Sequence, residues 1–277
     1  MAHDTLTFNS ATQRDLLVLV IAGRSRERTK PLLDQLSALQ LPYQIIPAVY
    51  LDSESCQRIP PTRVSPLAIK TMALSEIGCA LAHQDAYAAA LSSGVAHALI
   101  LEDDAEQSPS LAELLGELAS LPAYDVILLS RAKISRHEYR MSRWYYPVRA
   151  IFQTAGLRVG LTRRIRRSGT SAYLASADGL RKLQAANLPV CTLADDWPQF
   201  ISRLEVLQTS PLAVYEDYLG KGSEVEPERT GMTLAARQIP LRKKASLLLR
   251  ALLEKLAFAL LALRYPPRDL RQIRRKA

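Results

Sequence analysis

The fold of this chain is constrained most by short, largely apolar runs that alternate with helical segments. The runs at 16–22, 97–101 and 124–130 have the length and composition of strands buried on both faces of a sheet. Residues 25–40 and 75–94 have helical character, and each segment begins with serine, a common N-cap residue. This alternation predicts an α/β fold with a Rossmann-like, mostly parallel sheet and helices on both faces.

The composition is that of an ordinary folded protein. Hydrophobic residues make up 48% of the 277 residues and charged residues 23%, which excludes an intrinsically disordered chain. Three widely spaced cysteines without a C-x-x-C pair support neither a disulfide framework nor a zinc ribbon, and they fit a reducing compartment.

The net charge of +9 lies in one segment. Residues 241–277 contain eleven Lys or Arg and two acidic residues, so the preceding 240 residues are neutral overall. This distribution argues against a basic nucleic-acid-binding fold, and we expect no nucleic-acid partner. We expect a main domain over 1–218, a polar linker over 219–240 and a basic tail over 241–277.

The tail is predicted to form a basic amphipathic helix over 241–265. Most of its charged residues fall in one polar arc, and leucines such as Leu248, Leu252 and Leu263 lie opposite. Its longest uncharged apolar run, 256–263, has eight residues, whereas a membrane span requires about 20. We expect an interfacial helix that docks on an anionic membrane surface, with docking on the protein's own core or on a partner as the alternative. The N-terminus has no apolar segment typical of a signal peptide, so we expect a cytoplasmic protein.

An arginine-rich segment at 131–168 interrupts the α/β pattern. It contains ten arginines together with Trp144, Tyr145 and Tyr146. We expect a hairpin or a loop here. Arginine clusters with tyrosines suit a phosphorylated or anionic saccharide acceptor, and a generic solvated loop is the alternative.

The strongest local signal for chemistry is the sequence LILEDD at 99–104. Its three consecutive carboxylates repel one another at the end of a buried strand, so a bound cation or basic side chains must offset their charge. In extended backbone Glu102 and Asp104 share a face, which suits a hard divalent ion such as Mn²⁺ or Mg²⁺. A solvated acidic turn is the alternative.

Four sequence blocks occur together in a recognisable order. Residues 24–28 (RSRER) follow the first strand, 75–83 read SEIGCALAH, 99–104 read LILEDD, and 169–174 (GTSAYL) precede an Asp-Trp pair at 196–197. Together they resemble glycosyltransferase family 25, the lipooligosaccharide biosynthesis family of β-galactosyltransferase-like enzymes.

The resemblance implies a GT-A-like fold and an inverting reaction that depends on a divalent metal, Mn²⁺ or Mg²⁺. The enzyme would move a hexose, galactose or glucose, from a UDP-sugar to a lipooligosaccharide or LPS core acceptor. Because that acceptor is lipid-linked, we expect a peripheral protein on the inner face of the cytoplasmic membrane.

The resemblance also assigns donor and metal residues. Asp104 is expected to ligate the metal, with Glu102 and Asp103 contacting the ribose or the waters of the metal. Arg24 and Arg28 follow the first strand and can hold the nucleotide by charge-assisted hydrogen bonds, or form an exposed ion pair at the helix start instead.

Three further donor-site candidates have structural alternatives. Glu76 lies in a first helical turn, where a carboxylate favours the helix dipole. His83 lies four residues after Cys79, and this pair would need further ligands to bind zinc, so a packed histidine is the alternative. Tyr173 is either a core residue or a platform for the nucleotide.

Inverting transfer requires a carboxylate base that accepts the proton of the acceptor hydroxyl. Asp196 matches the late aspartate of the family, and Asp195 is the competing candidate. Trp197 is expected to stack on the acceptor sugar. The alternative for both aspartates is N-capping of a helix that starts before Pro198.

Two other function classes are weighed against the enzyme. A non-catalytic basic protein that binds membrane or nucleic acid is disfavoured by the neutral main domain. Another metal-dependent nucleotide enzyme, such as a nucleotidyltransferase, would share the acidic site but would not need Asp196 and Trp197.

Overall fold

A computed structural model describes most of the main domain and part of the tail. The described residues are 15–108, 111–121, 124–130, 148–153, 157–161 and 171–216, and in the tail 249, 252–253, 256–261, 263–264 and 267–269. The predicted linker at 219–240 and most of the arginine-rich segment lie outside these residues.

Strands of the described residues form one mixed nine-stranded sheet and one small pair. The strands are β1 (Leu16–Ala22), β2 (Tyr43–Pro47), β3 (His97–Glu102), β4 (Ala105–Gln107), β5 (Val126–Leu128), β6 (Arg149–Gln153), β7 (Arg158–Leu161), β8 (Ala172–Ser176), β9 (Val206–Ser210), β10 (Val214–Glu216) and β11 (Arg268–Asp269). The sheet order is β11-β6-β7-β9-β5-β8-β3-β1-β2, and β4 pairs with β10. Strands β1, β2 and β3 run parallel, whereas β8 is antiparallel to both of its neighbours.

The helices of the described residues are α1 (Arg26–Ala38), α2 (Ser53–Arg58), α3 (Pro66–Thr71), α4 (Leu74–Ser92), α5 (Leu111–Ala119), α6 (Ala177–Ala186) and α7 (Trp197–Phe200). Four of the described helices, α1, α2, α3 and α6, begin after a residue whose side chain caps the helix. Ser25 accepts a hydrogen bond from the Arg28 N–H, and Ser176 accepts one from the Gly179 N–H. The sequence predicts the cap at Ser25, and this prediction is confirmed.

Helices pack on both faces of the sheet. Alternate residues of β1 point to opposite sides: Val18 and Val20 pack with the leucines of α1 and α5, while Leu19 and Ile21 pack with α4 and α6. The predicted α/β class with helices on both faces is therefore confirmed, and the arrangement is consistent with a GT-A-like fold.

Two segments differ from the sequence-based expectation. Residues 51–66 are rich in Pro and Ser, a composition typical of loops, but Ser53–Arg58 form α2. Asp52 caps this helix by accepting the Ser55 N–H, and the Ser55 hydroxyl accepts the Asp52 N–H in return, so local capping outweighs composition. Helix α4 starts at Leu74 rather than at Ser75.

The described parts of the arginine-rich segment and of the tail meet at one edge of the sheet. Strands β6 and β7 pair antiparallel, as expected of the hairpin alternative, and β11 of the tail pairs parallel with β6. The described tail residues between 249 and 264 are helical, as predicted. Among the described residues, we find no helix that is long and apolar enough to cross a membrane.

A close approach between α4 and the end of β2 generates a stability prediction. A Cβ atom at Gly78 would overlap the backbone carbonyl of Val49, so Gly78→Ala should lower the free energy of unfolding by about 1–3 kcal/mol. Gly116 in α5 has open space around it, and Gly116→Ala should be neutral or stabilise by up to about 1 kcal/mol. Urea unfolding of both variants checks this, and equal effects would contradict the packing.

Candidate functional site

The acidic triplet lies at the C-terminal edge of the central strands. Strand β3 ends at Glu102, which is in register with Ile21 near the end of β1. Asp103 and Asp104 form a turn between β3 and β4, and both are buried, with 8% and 7% of their surface exposed. In open α/β sheets this edge is where ligands bind.

Arg28 offsets much of the charge of the triplet. Its Nε donates to Asp103 Oδ1 at 2.8 Å, and its Nη2 donates to Asp104 Oδ2 at 3.0 Å. The Gly23 N–H donates to the second oxygen of Asp103 at 3.1 Å. Both Asp103 oxygens therefore have protein partners, and Arg28 serves these carboxylates rather than an exposed ion pair at the helix start.

Glu102 and Asp104 do not follow the predicted extended geometry. The strand ends at Glu102, so the premise that alternate residues share a face is wrong for this pair. Asp104 contacts Arg28, whereas Glu102 approaches His83 with 3.3 Å between Oε1 and the imidazole Nε2.

His83 is held by two buried tyrosines. Its Nδ1 lies 2.8 Å from the Tyr173 hydroxyl, which donates to the Tyr87 hydroxyl at 3.0 Å. The imidazole also stacks on the Tyr173 ring, with centroids 5.8 Å apart. Burial raises the pKa of both phenols, so both stay protonated at neutral pH.

Tyr173 is a core residue and not a nucleotide platform. It is fully buried in β8, between His83 and Trp197, so the prediction that it contacts the donor is wrong for this structure. Its hydroxyl is instead a hydrogen-bond partner of the His83 imidazole. Tyr87, which extends this arrangement, was not predicted, although it lies four residues after His83 on the same face of α4.

Trp197 is also buried completely. Its ring makes edge contacts with Tyr173 and Phe200, at centroid distances of 5.4 and 5.8 Å. The predicted stacking on an acceptor sugar is therefore wrong, because no face of the indole reaches the surface. Trp197 and Phe200 instead anchor α7 in the core.

The two candidate base residues precede Trp197 and are half-buried. Asp196 Oδ2 accepts the Thr192 hydroxyl at 2.6 Å. Asp196 occupies the N-cap position of α7, but its side chain makes no capping hydrogen bond, so the capping alternative does not account for it.

Arg24 and Glu76 lie at helix and strand ends near this edge. The Arg24 guanidinium lies 4.2 Å above the ring of Tyr50, and the Arg24 N–H donates to the Tyr50 hydroxyl. The sequence analysis did not include Tyr50 among the site candidates. Tyr50 follows β2, which is parallel to β1, and its position after that strand could have placed it at the same edge of the sheet. Glu76 accepts the Ala73 N–H at 3.1 Å, which is the structural alternative weighed for this residue.

A family model described as glycosyltransferase family 25 (LPS biosynthesis protein) matches residues 18–197, well over half of the chain. The chain belongs to glycosyltransferase family 25. The matched region runs from β1 to Trp197 and contains all the candidate residues named above. The resemblance drawn from the four sequence blocks is confirmed, and membership indicates a glycosyltransferase of LPS biosynthesis.

Comparisons with individual proteins add little to the family assignment. No curated protein matches the chain. Among solved structures, the crystal structure of A197 from STIV aligns with 72% of this chain and 85% of its own length. The sequence identity is 11% and the TM-score is 0.41.

The Arg28 contacts of this family 25 chain generate a second prediction. Arg28→Met should lower the free energy of unfolding by about 3 kcal/mol, because it leaves two buried carboxylates without their cation. Arg26→Met, at an exposed position in the same helix, is the matched control and should change little. Urea unfolding at neutral pH measures both, and a small effect at Arg28 would show that the carboxylates do not depend on it.

Proposed function

We propose that this family 25 chain is an inverting, divalent-metal-dependent glycosyltransferase that moves a hexose from a UDP-sugar to an LPS core acceptor. The acidic end of β3 is the observation that supports this most. It lies beside the end of β1, at the sheet edge where open α/β folds bind nucleotides.

The donor set at this edge fits a hard divalent ion. Magnesium-type sites use one or two carboxylates and complete their shell with substrate phosphates and water. Asp103 and Asp104 share the guanidinium of Arg28, and Glu102 adds a third carboxylate beside them, so the triplet carries more negative charge than Arg28 alone offsets. Asp104 and Glu102 are the residues that would hold Mn²⁺ or Mg²⁺, and the bound ion would stabilise the negative charge of the departing diphosphate.

Of the other residues at this edge, one supports the acidic turn and another would contact the sugar-nucleotide donor. Asp103 is bound by Arg28 and by the backbone of Gly23, so we assign it to positioning rather than to the ribose. Arg24 is exposed at the end of β1, and we assign its guanidinium to the phosphates or the ribose of the donor.

Asp196 is our candidate for the catalytic base, with Asp195 as the competitor. In an inverting transfer the carboxylate takes the proton of the acceptor hydroxyl while that oxygen attacks the anomeric carbon. The bond from the sugar to UDP breaks on the opposite side, and UDP leaves with the electron pair. The hydrogen bond from Thr192 orients the Asp196 carboxylate for such a role.

Replacing the proposed metal ligand tests this function. Asp104→Asn keeps the size of the side chain but removes its charge, so hexose transfer and UDP-sugar hydrolysis should fall by at least about 100-fold. Asp178→Asn, at an exposed position in α6, is the matched control and should keep full activity. UDP release with Mn²⁺ present measures both, and a fully active Asp104→Asn variant would remove the metal assignment.

We further propose that the tail holds the enzyme on the inner face of the cytoplasmic membrane. The described leucines of the tail helix are exposed: Leu249, Leu252, Leu253, Leu256, Leu260 and Leu263. The same tail carries the net positive charge of the chain. Exposed leucines with nearby basic residues are the features of an interfacial helix that binds anionic lipid, where the lipid-linked acceptor would be located.

Vesicle binding tests the tail. Changing Leu256 and Leu260 together to Glu should weaken binding to phosphatidylcholine–phosphatidylglycerol vesicles by at least about tenfold, because two apolar side chains that would contact the lipid are lost. Binding of the wild-type chain should also fall as salt is raised. Changing Leu67 and Leu188 to Glu is the matched control, since both are exposed outside the tail. Equal vesicle binding by the two double variants would contradict the anchor.

A further inference from the structure

A second group of possible ligands lies where α4 meets the end of β3. Cys79 Sγ, a ring nitrogen of His83 and a carboxylate oxygen of Glu102 all lie within 4.8 Å of one another. Cys79 and His83 are one helical turn apart, and β3 brings Glu102 to them from elsewhere in the chain. The sequence showed only the Cys-His pair, and the fold supplies the third ligand.

The distance between His83 Nε2 and Glu102 Oε1 is close to the distance expected between two ligand atoms of one metal ion. The 3.3 Å between Nε2 and Oε1 is longer than a typical N–H···O hydrogen bond of about 2.9–3.0 Å. Two ligand atoms about 2.0–2.1 Å from a tetrahedral zinc ion are about 3.4 Å apart.

The surroundings of His83 direct a lone pair toward Glu102. The Tyr173 hydroxyl donates to Tyr87, so it accepts its hydrogen bond from the Nδ1–H of His83. Nε2 then carries the lone pair and faces a carboxylate oxygen. A partner that holds the distal nitrogen of an imidazole in this way is the usual outer shell of a metal-bound histidine.

We propose that Cys79, His83 and Glu102 bind a zinc-type divalent ion. One sulfur, one nitrogen and one oxygen ligand favour Zn²⁺ over Mg²⁺ or Mn²⁺. Three protein ligands leave a fourth position for water or a substrate oxygen, as in catalytic zinc sites. Glu102 is partly exposed, so that position is open toward the donor edge. The site shares Glu102 with the proposed donor site. The zinc proposal does not depend on the proposed transferase function, because it rests on the positions of the three ligands alone.

Cobalt substitution tests the site on the full-length protein. The chelator-treated chain should bind Co²⁺ with a thiolate-to-cobalt charge-transfer band in the near ultraviolet, and Zn²⁺ should abolish that band by displacement. Cys79→Ser should lose the band, whereas Cys191→Ser, which removes an exposed thiol elsewhere, should keep it. Absence of the band from the wild-type protein, or its retention in Cys79→Ser, would overturn the proposal.

A second variant, at Tyr173, tests the site in a way that does not depend on whether Cys79→Ser folds. Tyr173→Phe preserves the packed ring but removes the hydroxyl that holds His83, so it should weaken Zn²⁺ binding by about 10–100-fold in competition with a chromogenic chelator. Unchanged affinity would contradict the proposed orientation. Asp104→Asn should keep the cobalt band, because Asp104 is not a ligand of the proposed zinc site. If this variant loses transfer and keeps the band, the result bears on the proposed transferase function and not on the zinc site.

Discussion

The contacts of Arg28 with Asp103 and Asp104 hold the edge on which the candidate site is built. Arg28 belongs to α1 and the aspartates to the turn after β3, so these ion pairs join a helix to the end of a central strand. Because both carboxylates are buried, their charge has to be matched within the protein. The fixed turn directs the chain away after Glu102 and leaves that residue beside His83.

Behind this edge, one packed series of side chains connects the two halves of the proposed active site. Glu102 approaches His83, His83 is bonded to Tyr173, and the Tyr173 ring packs against Trp197. Asp196, the proposed base, immediately precedes this tryptophan. Rigid packing of this kind holds catalytic groups at fixed distances from one another. A buried tryptophan next to the aspartate pair would therefore fix the position of the proposed base.

The sequence predicted what depends on local interactions and missed what depends on distant ones. Strand β1 and the serine cap of α1 were predicted correctly, because apolar runs and capping are encoded within a few residues. The burial of Trp197 and the meeting of Glu102 with His83 arise from packing between separate elements. The acidic triplet predicted a need for positive charge, but nothing local distinguished a cation from Arg28, which lies 75 residues away from Asp103.

The central claim, that the acidic end of β3 binds a nucleotide diphosphate together with a divalent ion, is tested most directly by thermal unfolding. The midpoint of the wild-type chain would be measured with UDP-galactose or UDP-glucose, each with and without Mn²⁺. A ligand that binds only the folded chain raises its stability, so we predict a shift of several degrees that requires both the sugar nucleotide and the metal. No shift with either donor, or the same shift without metal, would contradict the account.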